Sequence, residues 1–303
     1  MPAKPKHNRK ERKMKKQQKI DWVKYWKGFT LGFLMLAWII AVFYLRYPLW
    51  IMIPIVFVYL IINGIIFYSY YLGMVGNFYY FTRNPDKALH FYRKAVAKNT
   101  KNVAALYNYS LEMLHLGNAQ EALVCLERAE KYNTSLLYEK NIPLAVSSCY
   151  WIMGGDENIQ KAIDILEKLT RDFQYVNYSA YTTLGYFYLL KGDFDKAEEK
   201  TKVAIDDNAE YAPAWDNMGQ IAFAKNELDK AEAYFLKALS FRPSMVDSLF
   251  YMGVIRERQN NKAEALEYYK KAEKCNISAL NTVTLERIRA KIKALGGETD
   301  ETV

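Results

Sequence analysis

The side chains able to do chemistry are few and far apart in this chain of 303 residues. The three histidines, His7, His90 and His115, have no second ligand at a metal-binding interval. Zinc sites set Cys or His a few positions apart, and no such pair occurs here. The cysteines Cys125, Cys149 and Cys275 are odd in number, widely spaced and without a CxxC. Cys125 lies in the apolar run Ala122-Leu-Val-Cys-Leu126 and reads as a small buried residue in a reducing compartment. No GxxxxGK[ST] loop is present to cradle phosphate, and no GxGxxG turn to hold a dinucleotide. The acidic residues fall mostly on polar helix faces, as at Glu198-Glu199. Four N-x-S/T triplets begin at Asn108, Asn133, Asn177 and Asn276; in a chain rich in Lys, Asn and Tyr they read as chance, unmodified matches. No catalytic constellation assembles from these residues. The expectation is a non-enzyme with no cofactor and no metal, whose function lies in binding.

Composition points to the elements that must carry a binding surface. Apolar residues make up 51% and aromatics 15%, with 25 Tyr, against only 8 Pro and 14 Gly. Long stretches rich in Ala, Leu, Glu and Lys favour an all-α fold. The net charge of +9 sits in one place: residues 1–27 hold eleven Lys or Arg against Glu11 and Asp21, which is the whole surplus. The rest of the chain is balanced, so no structured basic face is offered to nucleic acid.

Two uncharged runs follow that tail. Gly28 to Leu45 contains no charge, and none occurs between Arg46 and Arg83. A bilayer core asks for about 20 apolar residues in a helix, so the runs predict a transmembrane hairpin, 28–45 and about 49–71, linked near Arg46-Tyr47-Pro48. The first run is too long for a signal-peptide core and lacks a small-residue cleavage site. Basic residues crowd the side before the first span, which places both termini in the cytoplasm. Trp22, Trp26, Tyr68, Tyr70 and Tyr71 mark the inner interface. The basic tail serves that topology, or attracts anionic lipid headgroups, each Lys or Arg by about 1 kcal/mol; RNA binding is a third, weaker reading.

The remainder repeats itself. In residues 212–245, Trp215, Met218, Gly219, Ala222, Ala231, Phe235, Ala238 and Pro243 occupy positions 4, 7, 8, 11, 20, 24, 27 and 32 of a 34-residue unit. Stepping back and forward gives Leu184, Gly185 and Ala197, then Met252, Gly253 and Ala265; Gly76, Ala88 and Tyr92 mark a unit beside the apolar runs. The pattern resembles the tetratricopeptide repeat. It implies an all-α solenoid of about six repeats over residues 72–295, closed by a capping helix at Thr284–Ala294 and an acidic tail, 296–303. Gly117, Gly192, Asn226 and Asn260 open the turns between paired helices, where a left-handed residue is wanted. The third unit is six residues too long, and the excess is expected near Leu136–Pro143 and around Gly154-Gly155. With no Gly/Ser/Pro linker after the second run, that helix is expected to continue straight into the solenoid, with Gly73 and Gly76 as the only bend points.

The resemblance also implies a concave groove lined by the first helix of each unit. Carried onto this chain, the candidate partner-binding residues are Tyr107, Asn108, Leu111, Thr182, Tyr186, Leu190, Asp216, Asn217, Gln220, Phe223, Phe250 and Glu257; His115 and Asp247 fall at the same kind of position. The cations with which some family members clamp an acidic peptide terminus are missing, so acidic C-terminal tails are not the expected ligand. The reading is a cell-membrane scaffold of two spans that binds cytoplasmic proteins or peptides. The alternatives are a non-catalytic subunit of a membrane assembly or secretion complex and, third, an organelle outer-membrane targeting receptor.

Overall fold

Fourteen helices and no strand occur among the described residues, which in this computed structural model are residue 40, residues 49–173 and residues 177–300. The basic tail 1–27, the first apolar run 28–45 apart from Ile40, and residues 46–48, 174–176 and 301–303 lie outside them. The chain divides into two units, Met1–Tyr68 and Ser69–Val303.

In the first unit, α1 spans Leu49–Ile66 with Pro54 inside it and no charged residue. Ile53 and Ile65 are 68% and 72% exposed, and Phe57, Val58, Leu60, Ile61, Ile62 and Ile66 are exposed on the other faces. The expectation of one uninterrupted helix is corrected here: the helix breaks at Phe67 and a new one starts at Tyr68. Gly73 and Gly76, proposed as bends, are buried inside that next helix. At 1.5 Å per residue, 18 residues reach about 27 Å, against a hydrocarbon core of about 30 Å. Among the described residues no single helix is long and apolar enough to cross a membrane, while Val56–Ile66 and Tyr68–Phe81 pass by length and composition only when taken together.

In the second unit the helices pair in chain order: α2 (Tyr68–Phe81) with α3 (Pro85–Ala97), α4 (Val103–His115) with α5 (Ala119–Tyr132), α6 (Leu136–Met153) with α7 (Asp156–Asp172), α8 (Tyr178–Leu190) with α9 (Phe194–Asp207), α10 (Ala212–Ala224) with α11 (Leu228–Phe241), and α12 (Val246–Arg258) with α13 (Lys262–Glu273). α14 (Leu285–Ala294) follows α13. Short polar residues start many of them. Asn84, Asn102, Asn177, Asp193 and Asn261 each accept a bond from a backbone N–H of the first turn, which satisfies a donor the helix leaves free. Between paired helices Gly117, Gly192, Asn226 and Asn260 all have positive φ, and Arg83 takes that role between α2 and α3.

The pairs close on one repeated contact. The position-8 residue of the first helix faces the position-24 side chain of the second. A Cβ on Gly219 would stand 2.5 Å from the Phe235 ring, and one on Gly253 would stand 2.5 Å from Tyr269. Phe235, Tyr269 and Tyr92 are fully buried, as are the alanines at positions 20 and 27. Burying such a ring contributes about 1.5–3 kcal/mol. Three pairs remove such a ring from water because glycine leaves room for it, Gly76 under Tyr92, Gly219 under Phe235 and Gly253 under Tyr269.

The third pair corrects the expected loop insertion. Leu136–Pro143 are helical, begun by the Ser135 hydroxyl, which accepts from Leu137 N at 3.3 Å. α6 and α7 run 18 and 17 residues, against 13 and 14 in the pairs on either side. The extra residues therefore lengthen both helices. Gly154 and Gly155, with φ of 70° and 86°, make the turn between them.

Candidate functional site

The first helices of successive pairs, α4, α6, α8, α10 and α12, face a concave cavity of about 570 Å³. Tyr107, Leu111, Thr182, Tyr186, Asp216, Asn217 and Gln220 all line it. Each comes from a helix whose opposite side is committed to the apolar interior, so spacing along the helix sends these residues to the groove. Tyr186 meets Trp151 edge-on at 5.5 Å, and burial pushes its hydroxyl pKa up. Tyr107 packs edge-on against Tyr138 at 5.3 Å, and burial raises its pKa to about 12. Both rings therefore stay neutral and offer flat, amphipathic walls.

The floor of the groove is polar and buried. Asn217 donates its amide to the Thr182 carbonyl at 2.7 Å, tying α10 to α8. Asp216, 3% exposed, accepts from Gln220 at 2.7 Å and from the Ser248 hydroxyl of α12. Burial, followed by the charge of nearby Asp247, raises its pKa to about 7, against the pull of those two donors. Asp247, 4% exposed, is also raised by burial. Its Oδ1 accepts from Thr282 N at 3.0 Å, Thr282 Oγ1 at 2.6 Å and Val283 N at 2.9 Å, and its Oδ2 from the Asn281 amide at 3.2 Å.

Those donors belong to the segment between α13 and α14, residues 274–284. It crosses the groove to the second pair. Ala279 N donates to the His115 carbonyl at 3.2 Å, and Leu280 packs against the apolar cluster of the early pairs. Ser278, Leu280, Asn281 and Thr282 line the cavity beside the groove helices. The repeat register could not reveal this, because these residues fall where the next unit's first helix would begin. The only signal was a stretch of Asn, Ser and Thr, Asn276-Ile-Ser-Ala-Leu-Asn-Thr282, with no helical pattern. Trp151, in the long third pair, and Arg242, between α11 and α12, also line the cavity and were not singled out.

Five of the candidate residues are elsewhere. Asn108 donates to Asn77 at 3.2 Å and to the Tyr92 hydroxyl at 3.1 Å, joining the first two pairs. Phe250 is fully buried, against Tyr269 and under the Arg287 guanidinium at 4.7 Å. Glu257 is ion-paired with Lys291 of α14. Phe223 lies against Tyr251 and beneath Arg258 at 4.4 Å. Leu190, the last residue of α8, is exposed outside the cavity. Phe250 and Glu257 are taken up by contacts with Arg287 and Lys291 of α14, and Asn108 by the seam between the first two pairs. Cys125 and Cys149 are buried free thiols whose pKa values burial raises to about 11 and about 12. No group of three or more His, Cys, Asp and Glu suited to a metal ion occurs among the described residues.

Tetratricopeptide-repeat family models match residues 217–279 and 178–199, so the chain carries tetratricopeptide repeats. Human protein O-mannosyl-transferase TMTC1 is 27% identical over 180 residues, 57% of this chain and 19% of that protein. The match spans about a fifth of that relative's length. Among solved structures, PilW, described as a widely conserved type IV pilus biogenesis factor, is similar with a TM-score of 0.51 at 19% identity, over 66% of this chain and 90% of its own. The Cut9–Hcn1 hetero-tetramer of the APC/C is similar with a TM-score of 0.56 at 14% identity, over 75% of this chain and 42% of its own. At these identities the likeness concerns the fold.

Proposed function

We propose that this chain is a membrane-anchored, non-catalytic scaffold whose concave surface binds an extended segment or helix of a cytoplasmic protein. One observation carries the reading: the first helices of successive pairs deliver neutral aromatic walls and a polar floor to a groove of about 570 Å³. Such a groove suits a polypeptide, whose backbone and side chains offer donors and apolar groups at short intervals. The fold is also found in a protein that works inside a complex, the Cut9–Hcn1 hetero-tetramer.

The anchoring half rests on α1, an uncharged helix with apolar side chains exposed on all faces. A helix of that kind has no stable place in water. The uncharged run 28–45 precedes it, and the basic residues of 1–27 favour the cytoplasmic side for both termini. A reporter fused after Val303 tests the topology; an external C-terminus contradicts it. Crosslinking in intact membranes tests the groove. Tyr107→Ala with Tyr186→Ala is expected to lose the proteins that the wild type captures, and unchanged capture removes the groove from the reading.

A further inference from the structure

We propose that residues 276–283 are a built-in occupant of the groove, and that the subsite they fill recognises an extended segment of a partner protein that donates backbone N–H groups and a side-chain hydroxyl or amide to the Asp247 carboxylate. The inference rests on the scaffold reading and adds a ligand class and a gate to it.

The connection is longer than linkage requires. α9 joins α10 through residues 208–211 and α11 joins α12 through 242–245, whereas α13 reaches α14 only through 274–284. The added length enters the groove, where it meets two anchors. At one end Asp247 takes all the donors described above from Asn281, Thr282 and Val283. At the other, Ala279 N reaches the His115 carbonyl and Leu280 covers apolar side chains of the early pairs.

The chemistry of the first anchor is general. Two consecutive backbone amides can be supplied by any extended chain, and the hydroxyl and amide ask for Thr or Ser and Asn or Gln nearby. A buried carboxylate without such donors is strongly disfavoured, so when the loop leaves, Asp247 demands a replacement of the same kind. Asp216 lies in the same cavity, and two carboxylates disfavour an acidic segment. Ser278 to Thr282 are half-buried or exposed, whereas the Val283 side chain is buried in the apolar interior, so Val283 is the hinge about which the stretch before it is released.

The test uses the full-length chain in detergent and a fluorescein-labelled peptide with the sequence of residues 276–284. The variant Leu280→Ser with Asn281→Ala and Thr282→Ala frees the loop and leaves Asp247 intact. An internal occupant lowers apparent affinity by the fraction of time the site is open, so the freed variant should bind the peptide roughly tenfold tighter or more than the wild type. Adding Asp247→Asn should abolish that gain. Equal binding by both proteins, or none by a freed variant that keeps wild-type circular dichroism, overturns the proposal. Should the variant not fold, hydrogen exchange of the wild type decides: saturating peptide must speed exchange at residues 279–283, and unchanged exchange there overturns it. Membrane crosslinking separates the two readings. Equal partner capture by wild type and freed variant ends the gate but not the scaffold, whereas capture by neither ends the scaffold.

Discussion

Inside the helix pairs one apolar contact, a glycine under a ring, recurs from unit to unit; on the concave face the buried polar bonds occur once. Gly219 with Phe235 and Gly253 with Tyr269 are the same contact one unit apart, made of a missing side chain and a buried ring. Asp216 with Ser248, and Asp247 with Thr282 and Val283, have no counterpart in the other pairs among the described residues. The difference separates what builds the solenoid from what makes this one individual. The interior sets the shape, each unit filling the same position with a fully buried side chain. The concave face tolerates change in shape but needs each donor and acceptor answered.

The largest expected effect tests the interior. Phe235→Ala empties the space under Gly219 and should lower unfolding free energy by about 3–5 kcal/mol, read by denaturant titration. A loss below about 1 kcal/mol would show that the repeated contact is not what holds a pair together. Asp247→Ala tests the other side of the comparison. It leaves Thr282 N, Val283 N and the Asn281 amide without an acceptor, which should cost about 1–3 kcal/mol. Faster hydrogen exchange should be confined to residues 274–284; loss of protection throughout α8–α11 would contradict a local role.

The pH dependence is next. Burial favours the protonated form of Asp216 in the folded chain, so between the ordinary value of 3.8 and about 7 the folded state holds the extra proton. Stability from this group is therefore full below the lower value and is lost as pH rises through the upper. Asp216→Asn should flatten that decline between about pH 4 and 7 in thermal melts, and an unchanged slope contradicts the assignment. The smallest effect lies where the interior departs from its own rule. Position 24 of the fourth unit is Thr201, fully buried against Gly185, with a hydroxyl that finds no partner. Thr201→Val keeps the shape and removes the orphan group, and should raise stability by about 1 kcal/mol; a loss of stability would show the hydroxyl to be satisfied.

This division also explains what could be read in advance. The position-8 glycines, the alanines at 20 and 27 and the Gly or Asn turns follow from residue size and backbone freedom, which sequence displays directly. The groove residues Tyr107, Tyr186, Asp216 and Asn217 could be placed because they ride on the same register. Phe250 and Glu257 share that register but stand beside α14, where the solenoid ends and seals itself, so end effects override it. The lengthened α6 and α7 depend on packing between helices that helix propensity does not see; the break at Phe67 has no explanation in the structure. The loop from 276 to 283 was hidden for a further reason: its bonds join residues 34 to 36 positions apart, and Ala279 reaches back to His115. Ala279 and His115 meet only through the fold, far outside any repeat interval.

The most direct test of a groove that holds its own chain is amide hydrogen exchange on the full-length protein at Ala279, Thr282 and Val283. Their N–H groups are bonded to the His115 carbonyl and the Asp247 carboxylate, so slow exchange is expected, accelerating in Asp247→Ala for the last two. Exchange at the rate of an unprotected amide would mean that the segment lies outside the groove and that the concave face stands open.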